Sequence, residues 1–307
     1  MNIIKITAIL ATALATSTTY AQTSNGPFYG GLEFGASQIE DNSGALASSM
    51  RSSLGGTASA SQDTSLSSYR FFGGYKTCRD WLPVRPTGDY YRVGFCEDMI
   101  QGQNMEPRTE GGIFSFFGYY DAPETLIGTI YLVHDPVDFT QGSRQAWVYN
   151  AGQRRVRRAP DLAYDNIEDG TEGMRTTDDY WGFQGAMDRY DFKLVGKKEM
   201  YVPYNAYKLQ DPTIKYKDML DKGHVKSDLM RYELHRVWVV EATLKPGTSH
   251  VIGRRTFYID EDSNTIVQAD GYDGRGNLWR AYSYPLVQAY DAGVMFQAPF
   301  INNDLTN

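Results

Sequence analysis

Positive charge is in short supply in this chain: 307 residues carry 30 Lys and Arg against 37 Asp and Glu, a formal net charge of −7. Attraction to a polyanion needs the opposite sign, so general affinity for DNA, RNA or an anionic membrane surface is not expected. Only a local basic patch, acting within its own Debye length, would work against the whole. Cysteine is scarcer still. Cys78 and Cys96 are the only two, they stand 18 positions apart, and neither a CxxC spacing nor a nearby His accompanies them, which argues against thiolate metal sites and redox pairs. The four histidines, His134, His224, His235 and His250, are scattered without ligand spacing, so each is expected as an ordinary strand or loop residue. After the first 21 residues no apolar run approaches the roughly 20 residues of a transmembrane helix.

Catalytic signatures are missing as well. There is no GxSxG elbow, no HExxH, no GxxxxGKS/T loop and no helix-opening GxGxxG. Asp260, Asp262 and Asn264 mimic the first ligands of an EF-hand loop. Thr265 stands where the turn needs Gly, however, and Gly271 where a bidentate Glu would close the site, so a hairpin turn with solvated acids is expected there. Asp178 with Asp179, or Asp188 with Asp191, supply paired carboxylates, but nothing in the sequence fixes the separation that acid–base work requires. No enzyme, catalytic residue, metal or cofactor is therefore expected.

What is present points to strands. Tyr, Phe and Trp number 23, 14 and 5, beside 30 Gly, a composition that favours pleated, half-buried surfaces and turns. The length suits one domain with an appendage. Residues 1–21 have Lys5, an apolar stretch from Ile6 to Ala15, and Thr19 and Ala21 before a cleavage point. This is the pattern of an export signal, with a short buried helix as the alternative. Export makes a Cys78–Cys96 disulfide the economical expectation, worth about 3 kcal/mol. Residues 22–76 are rich in Gly, Ser and Ala and hold two alternating stretches, "PFYGGLEFGASQIE" and "SLSSYRFFGGYK". They resemble the opening hairpin of an OmpA-like outer-membrane barrel attached to a main domain over 77–307.

In that main domain, "GIFSFFGYY", "TLIGTIYLVHD" and "RQAWVYN" read as strands, followed by "ELHRVWVVEATLK", "HVIGRRTFYID", "NTIVQADGY" and "NLWRAYSY". The joints between them are short turns, so neighbouring strands are antiparallel. Between the two groups, Thr177 or Asp178 as N-cap and Tyr180, Phe183, Met187 and Tyr190 at spacings of three and four predict a short amphipathic helix. "DPTIKYKDML" predicts another turn or two of helix. The fold class expected is α+β, a curved antiparallel sheet with a few helices on its concave face.

Strand alternation puts Trp238 and Val240 on one face, Phe257 and Ile259 on one face of the next strand, and Trp147 and Tyr149 together on theirs. Such faces line a hydrophobic cavity or fill a core; alternation alone allows either. The stretch "RRVRR", with Arg154, Arg155, Arg157 and Arg158, follows "AWVYNAGQ" as the second strand of a hairpin. Arg154, Val156 and Arg158 alternate with Arg155 and Arg157, and Asp161, Asp165, Glu168, Asp169, Glu172, Asp178 and Asp179 follow. Pairing of this basic strand with that acidic stretch explains the charges without nucleic acid.

"RQAWVYNAGQRRVRRAPDLAYDN", "GMRTTDD", "DRYDFKLVGKKEMYVPYNAYKL", "RYELHRVWVVEATLKPG", "RRTFYIDEDS" and "YDGRGNLWR" resemble blocks of the exported bacterial family called domain of unknown function 1329. That family is grouped with the LolA- and LolB-type outer-membrane lipoprotein-sorting proteins. The resemblance implies a half-open β-barrel with helices plugging its concave side and a periplasmic location. It also implies a cavity for a lipid or lipoprotein acyl chain, lined by Trp147, Tyr149, Trp238, Val240, Phe257 and Ile259, and company with an RND-type transporter and an outer-membrane barrel. A protein-interaction or sensor module and an outer-membrane barrel fragment are the alternatives.

Overall fold

The computed structural model describes residues 74–101, 112–136, 142–159, 164–290, 294–297 and 299–306, positions 139 and 162, and three short strands before residue 71. The expected export signal over 1–21 and most of the 22–76 segment lie outside the described residues. The strands, in chain order, are β1 (Tyr29–Leu32), β2 (Ser61–Asp63), β3 (Ser68–Arg70), β4 (Gly74–Trp81), β5 (Val93–Gln101), β6 (Gly112–Tyr120), β7 (Ile130–Pro136), β8 (Gln145–Asn150) and β9 (Arg155–Arg158). After them come β10 (Tyr190–Pro203), β11 (Leu220–Asp221), β12 (His224–Val225), β13 (Tyr232–Leu244), β14 (Arg254–Asp260), β15 (Ile266–Tyr272), β16 (Leu278–Ser283), β17 (Leu286–Ala289), β18 (Val294–Gln297) and β19 (Ile301–Asp304).

Two open antiparallel sheets result. The first runs β1-β4-β5-β6-β7-β8-β9 and the second β10-β13-β14-β15-β16-β19. Strand β4 crosses residue 77 and pairs with β1, Tyr29 opposite Cys78 and Leu32 opposite Tyr75, so part of the segment before residue 77 belongs to the first sheet. Cys78 and Cys96 face each other across β4 and β5 and form a disulfide with Cα atoms 4.0 Å apart.

The expected amphipathic helix does not form. Its place is taken by a 3-10 turn at Thr177–Gly182 and another at Met187–Arg189. Inside the first turn Trp181 has φ 53° and Tyr180 is extended. Gly182 follows at φ 90° with its missing Cβ position 2.9 Å from Ile266, a left-handed, close-packed site that suits Gly. The apolar spacing was genuine, but its members serve different partners: Tyr190 opens β10, and Asp178 and Asp179 turn inward and are buried. The second expected helix is one turn, Tyr216–Met219.

Strand β10 carries no signal of alternation, because Lys193, Lys197, Lys198 and Glu199 interrupt it and eleven of its fourteen residues avoid full burial. Lysines on an edge strand guard it against further pairing. It pairs with β13 along its length, with a bulge between Leu194 and Gly196. The second sheet packs on both faces. Phe257, Ala242, Ala269, Tyr282 and Tyr284 form one cluster with Tyr190 and Ile252, and Val237 and Val267 form another with Val202, Tyr204 and Leu286. Each such side chain contributes about 1.5–3 kcal/mol on burial.

The arginine strand departs from expectation. Arg155–Arg158 form β9, the outer edge of the first sheet, and all four residues are exposed. None of Arg154, Arg155, Arg157 and Arg158 forms an ion pair with a described residue. The described acids of the following loop take other partners: Glu168 meets Arg175, Asp165 meets Arg189, and Asp178 and Asp179 meet Arg255. Asp178 and Asp179 do not pair with the basic strand because they are drawn under the second sheet, away from the edge, while Asp161 lies outside the described residues. Arg155→Ala or Arg157→Ala is accordingly expected to change unfolding free energy by less than about 0.5 kcal/mol, measured by urea denaturation. Replacing both cysteines by Ser is expected to cost about 3 kcal/mol in the same measurement.

Candidate binding cavity and its charged floor

Between the sheets lies the loop 164–189, and buried arginines hold it there. From the second sheet, Arg255 on β14 is 2% exposed. Its Nη2 donates to both carboxylate oxygens of Asp178 at 3.0 and 2.9 Å, and its Nη1 lies 3.0 Å from Asp179 Oδ1. Thr176 Oγ1 donates to Asp178 at 2.6 Å, the Thr176 N–H reaches Asp179 at 3.1 Å, and His250 Nε2 lies 3.0 Å from Asp178. Burial opposes the charge on Asp178, yet Arg255 and His250 outweigh it and hold the carboxyl well below the usual range. Burial likewise opposes the charge of Arg255, and Asp178 and Asp179 more than compensate. Arg280 on β16 donates to the Met174 and Gly173 carbonyls.

From the first sheet, Arg144 grips Asp135 through two bonds of 2.6 and 2.8 Å and donates to the carbonyls of Leu162 and Gln184 at 2.8 and 3.0 Å. Glu97 on β5 pairs with Arg79 and accepts the Tyr180 hydroxyl at 2.6 Å. Arg175, 5% exposed, places its Nε 2.8 Å from Glu168 and lies over the rings of Tyr180, Trp81 and Phe300 at 4.6, 5.3 and 5.7 Å. Burial pushes the Glu168 carboxyl up. That weakens its claim on Arg175, whose Nη2 has no hydrogen-bond partner among the described residues.

Above Arg175 opens a cavity of about 60 Å³ between the inner face of the first sheet and the loop, walled by Phe95, Phe116, Tyr120, Tyr131, Val133 and Ile167. Tyr120 and Tyr131 brace its rim by donating to Asp169, at 2.9 Å to the carbonyl and 2.6 Å to the carboxylate. The volume is less than half of the roughly 150 Å³ that accommodates benzene in an engineered apolar cavity. As it stands, the space takes a small group, and a longer one must displace part of the wall.

None of the six residues expected to line a cavity lines this one. Trp147 and Tyr149 sit opposite Leu132 and Ile130, on the outer face of the first sheet; Val133 and Tyr131 occupy the inner face. Phe257, Val240 and Ile259 do face inward, but Phe183, Tyr190 and Phe192 fill the space against them. Trp238 is half-buried, with the Lys197 ammonium 3.8 Å from its ring centroid. Alternation separates two faces without saying which is inside. The clue that did exist was charge among aromatics: Glu97 and Asp135 sit within apolar strands, both buried, and a buried acid demands an internal partner.

The turn after β14 also differs from a loop of solvated acids. Asp260 is fully buried; its Oδ1 lies 2.8 Å from His235 Nδ1 and its Oδ2 accepts the Ser263 N–H and hydroxyl at 2.8 and 2.7 Å. With exposed Asp262, these groups come within 4.8 Å of one another, a spacing a cation can bridge. Both Asp260 oxygens, however, are already spent on His235 and Ser263.

Removing Arg255 strands two buried carboxylates. Arg255→Met is expected to cost about 3–5 kcal/mol, read from urea denaturation at pH 7. Because the folded-state pKa of Asp178 is depressed, the stability it carries is present above the unfolded value of about 3.9 and is lost as pH falls through the folded one. Wild-type urea midpoints should therefore drop steeply below pH 4, and this component of the drop should shrink in Arg255→Met.

Several known proteins resemble this chain in sequence or in fold. An uncharacterized protein of Pseudomonas aeruginosa is 51% identical over 215 residues, covering 69% of this chain and 47% of that protein, so the chain spans about half the length of this relative. Among solved structures, an outer membrane lipoprotein-sorting protein domain from Vibrio parahaemolyticus aligns with TM-score 0.49 at 13% identity over 75% of this chain and 78% of the other. A DUF1329 family protein from Desulfovibrio piger gives 0.48 at 14% over 75% and 77%, and a LolA superfamily protein from Nitrosomonas europaea 0.41 at 12% over 76% and 77%. The sequence profile of the proteins of unknown function DUF1329 matches residues 66–307, and the chain belongs to that family.

Proposed function

We propose that this protein is a periplasmic carrier or chaperone for a lipidated or otherwise hydrophobic ligand, working by burial of apolar groups without covalent chemistry. The observation that carries this reading is the cavity on the first sheet. One side of its lining is aromatic and aliphatic, from Phe95 to Val133, and the other carries polar groups, among them Arg144, Glu168, Asp169 and Arg175. Arg175 Nη2 has no hydrogen-bond partner among the described residues, and apolar walls with a few placed polar groups are the general form of a small-ligand site. An amphiphile with an acidic head fits it: the head on Arg175, the tail against Phe116, Tyr131 and Val133.

The energetics suit reversible carriage. At about 25 cal/mol per Å², burying on the order of 200 Å² of chain yields about 5 kcal/mol, enough to offset displacement of a few side chains. The cavity in its present form is the contracted state, and loading widens it against the loop. An RND-type transporter and an outer-membrane barrel are the proposed partners that supply and accept the ligand.

Native mass spectrometry of protein purified from the periplasm should show co-purifying lipid, and a fluorescent fatty acid should bind saturably. Val133→Trp, which fills the cavity, should abolish that binding. Arg175→Gln should weaken it about ten- to a hundredfold, the worth of a charge-assisted hydrogen bond, and affect a neutral-headed analogue far less. Absence of co-purifying lipid together with absence of fatty-acid binding overturns the reading.

A further inference from the structure

Over β6 to β9 the outer face of the first sheet is partly exposed, and its composition is ordered. Cross-strand pairing builds two parallel rows on it. One runs Phe117–Leu132–Trp147–Arg158 and the other Tyr119–Ile130–Tyr149–Val156. Phe117, Leu132 and Val156 are 42%, 39% and 64% exposed, and Tyr119, Ile130, Trp147 and Tyr149 are partly so. Residues directly opposite on antiparallel strands point to the same side, so these eight form one continuous surface. Four aromatic residues and three aliphatic ones end at an arginine.

The arginines complete it. Arg158 shares the side of Val156, Arg155 and Arg157 point the other way from a strand that has no neighbour beyond it among the described residues, and Arg154 stands in the turn just before the strand. At such an edge a long side chain reaches either direction. All four are exposed and none is ion-paired to a described residue, in a chain whose net charge is −7. Of the described residues that β6, β7, β8 and β9 place on this face, none is acidic; Asp98, opposite Phe117 on β5, marks its far end. Isolated arginines on an edge are explained by protection against strand addition. Protection does not explain why the adjoining sheet surface carries Phe, Leu, Trp and Tyr in place of polar residues.

We propose that this face docks the protein onto an anionic membrane surface. Trp147, Tyr149 and Phe117 sit at headgroup depth, where amphipathic rings are favoured, and Arg154, Arg155, Arg157 and Arg158 meet lipid phosphates. The combination of a cationic rim with an apolar patch too small to span a bilayer is that of a peripheral, reversible contact. Charge complementarity selects the occupant: the chain as a whole repels a polyanion, so attraction is confined to this end and fixes the orientation of approach. The proposal does not rest on the cavity, which opens on the opposite face of the same sheet.

Co-sedimentation of the purified full chain with vesicles of phosphatidylglycerol and phosphatidylcholine, against phosphatidylcholine alone, tests it. Binding is expected to the anionic vesicles, weakening as salt rises. Each basic residue near such a surface is worth about fivefold in partitioning, so replacing Arg154, Arg155, Arg157 and Arg158 by Gln should reduce binding at least about thirtyfold without shifting the urea midpoint. Bromine-labelled lipid should quench tryptophan fluorescence, and Trp147→Phe should remove most of that quenching. Equal binding to neutral and anionic vesicles, full retention of binding by the fourfold variant, or arginine-dependent binding without quenching through Trp147 each overturns the proposal. The last outcome would mark the basic hairpin as a contact for a soluble polyanion. Val133→Trp should leave vesicle binding unchanged, so failure of ligand carriage and failure of membrane docking are separately visible.

Discussion

The contact on which this fold depends is the guanidinium of Arg255 held between Asp178 and Asp179 under the second sheet. Each charge alone would be intolerable at 2–3% exposure, since the cost of desolvating an unpaired ion exceeds the stability of most domains. Together, with Thr176 and His250 adding bonds to Asp178, they turn a polar loop into core. The same device recurs through Arg144 against Asp135 and Arg280 against loop carbonyls. The loop therefore joins two sheets that share no hydrogen-bonded strand, and it does so with directional bonds that fix its position, where apolar packing alone would tolerate sliding.

This design explains what could and could not be read from the amino acids. Strands β6, β8, β13, β15 and β16 were legible because apolar and aromatic residues mark them, and their order followed from the short turns between them. Strand β10 was not, because as an edge strand it carries lysines where an interior strand carries valine. The helix expected over residues 177–190 failed for a related reason: its periodicity was real, but the acids inside it obtain more from Arg255 than a helix would return. The family was legible from its sequence blocks alone. Period-two alternation is symmetric and did not say which face of the first sheet is inside; Glu97 and Asp135, acids in apolar company, mark the inner one.

The two faces of the first sheet thus do different work. Its inner face holds aromatic rings and paired charges around a small space. Its outer face holds rings of the same kinds, partly exposed, with the arginines of β9 at its edge. A shared set of residue types serves both because what distinguishes a wall from a contact surface is whether a neighbouring segment has charges with which to anchor itself. The loop 164–189 has them on one side, and no described segment supplies them on the other.

Both strands that flank this loop are cationic edges: β9 ends the first sheet with Arg155, Arg157 and Arg158, and β10 begins the second with Lys193, Lys197 and Lys198. Were these two strands to zip together at the usual spacing of about 4.8 Å, arginine would confront lysine along the whole seam, and like charges directly opposite destabilise a sheet. Like charge on the two edges disfavours such pairing, while Asp191 and Glu199 on β10 and the Lys197–Glu261 ion pair temper it.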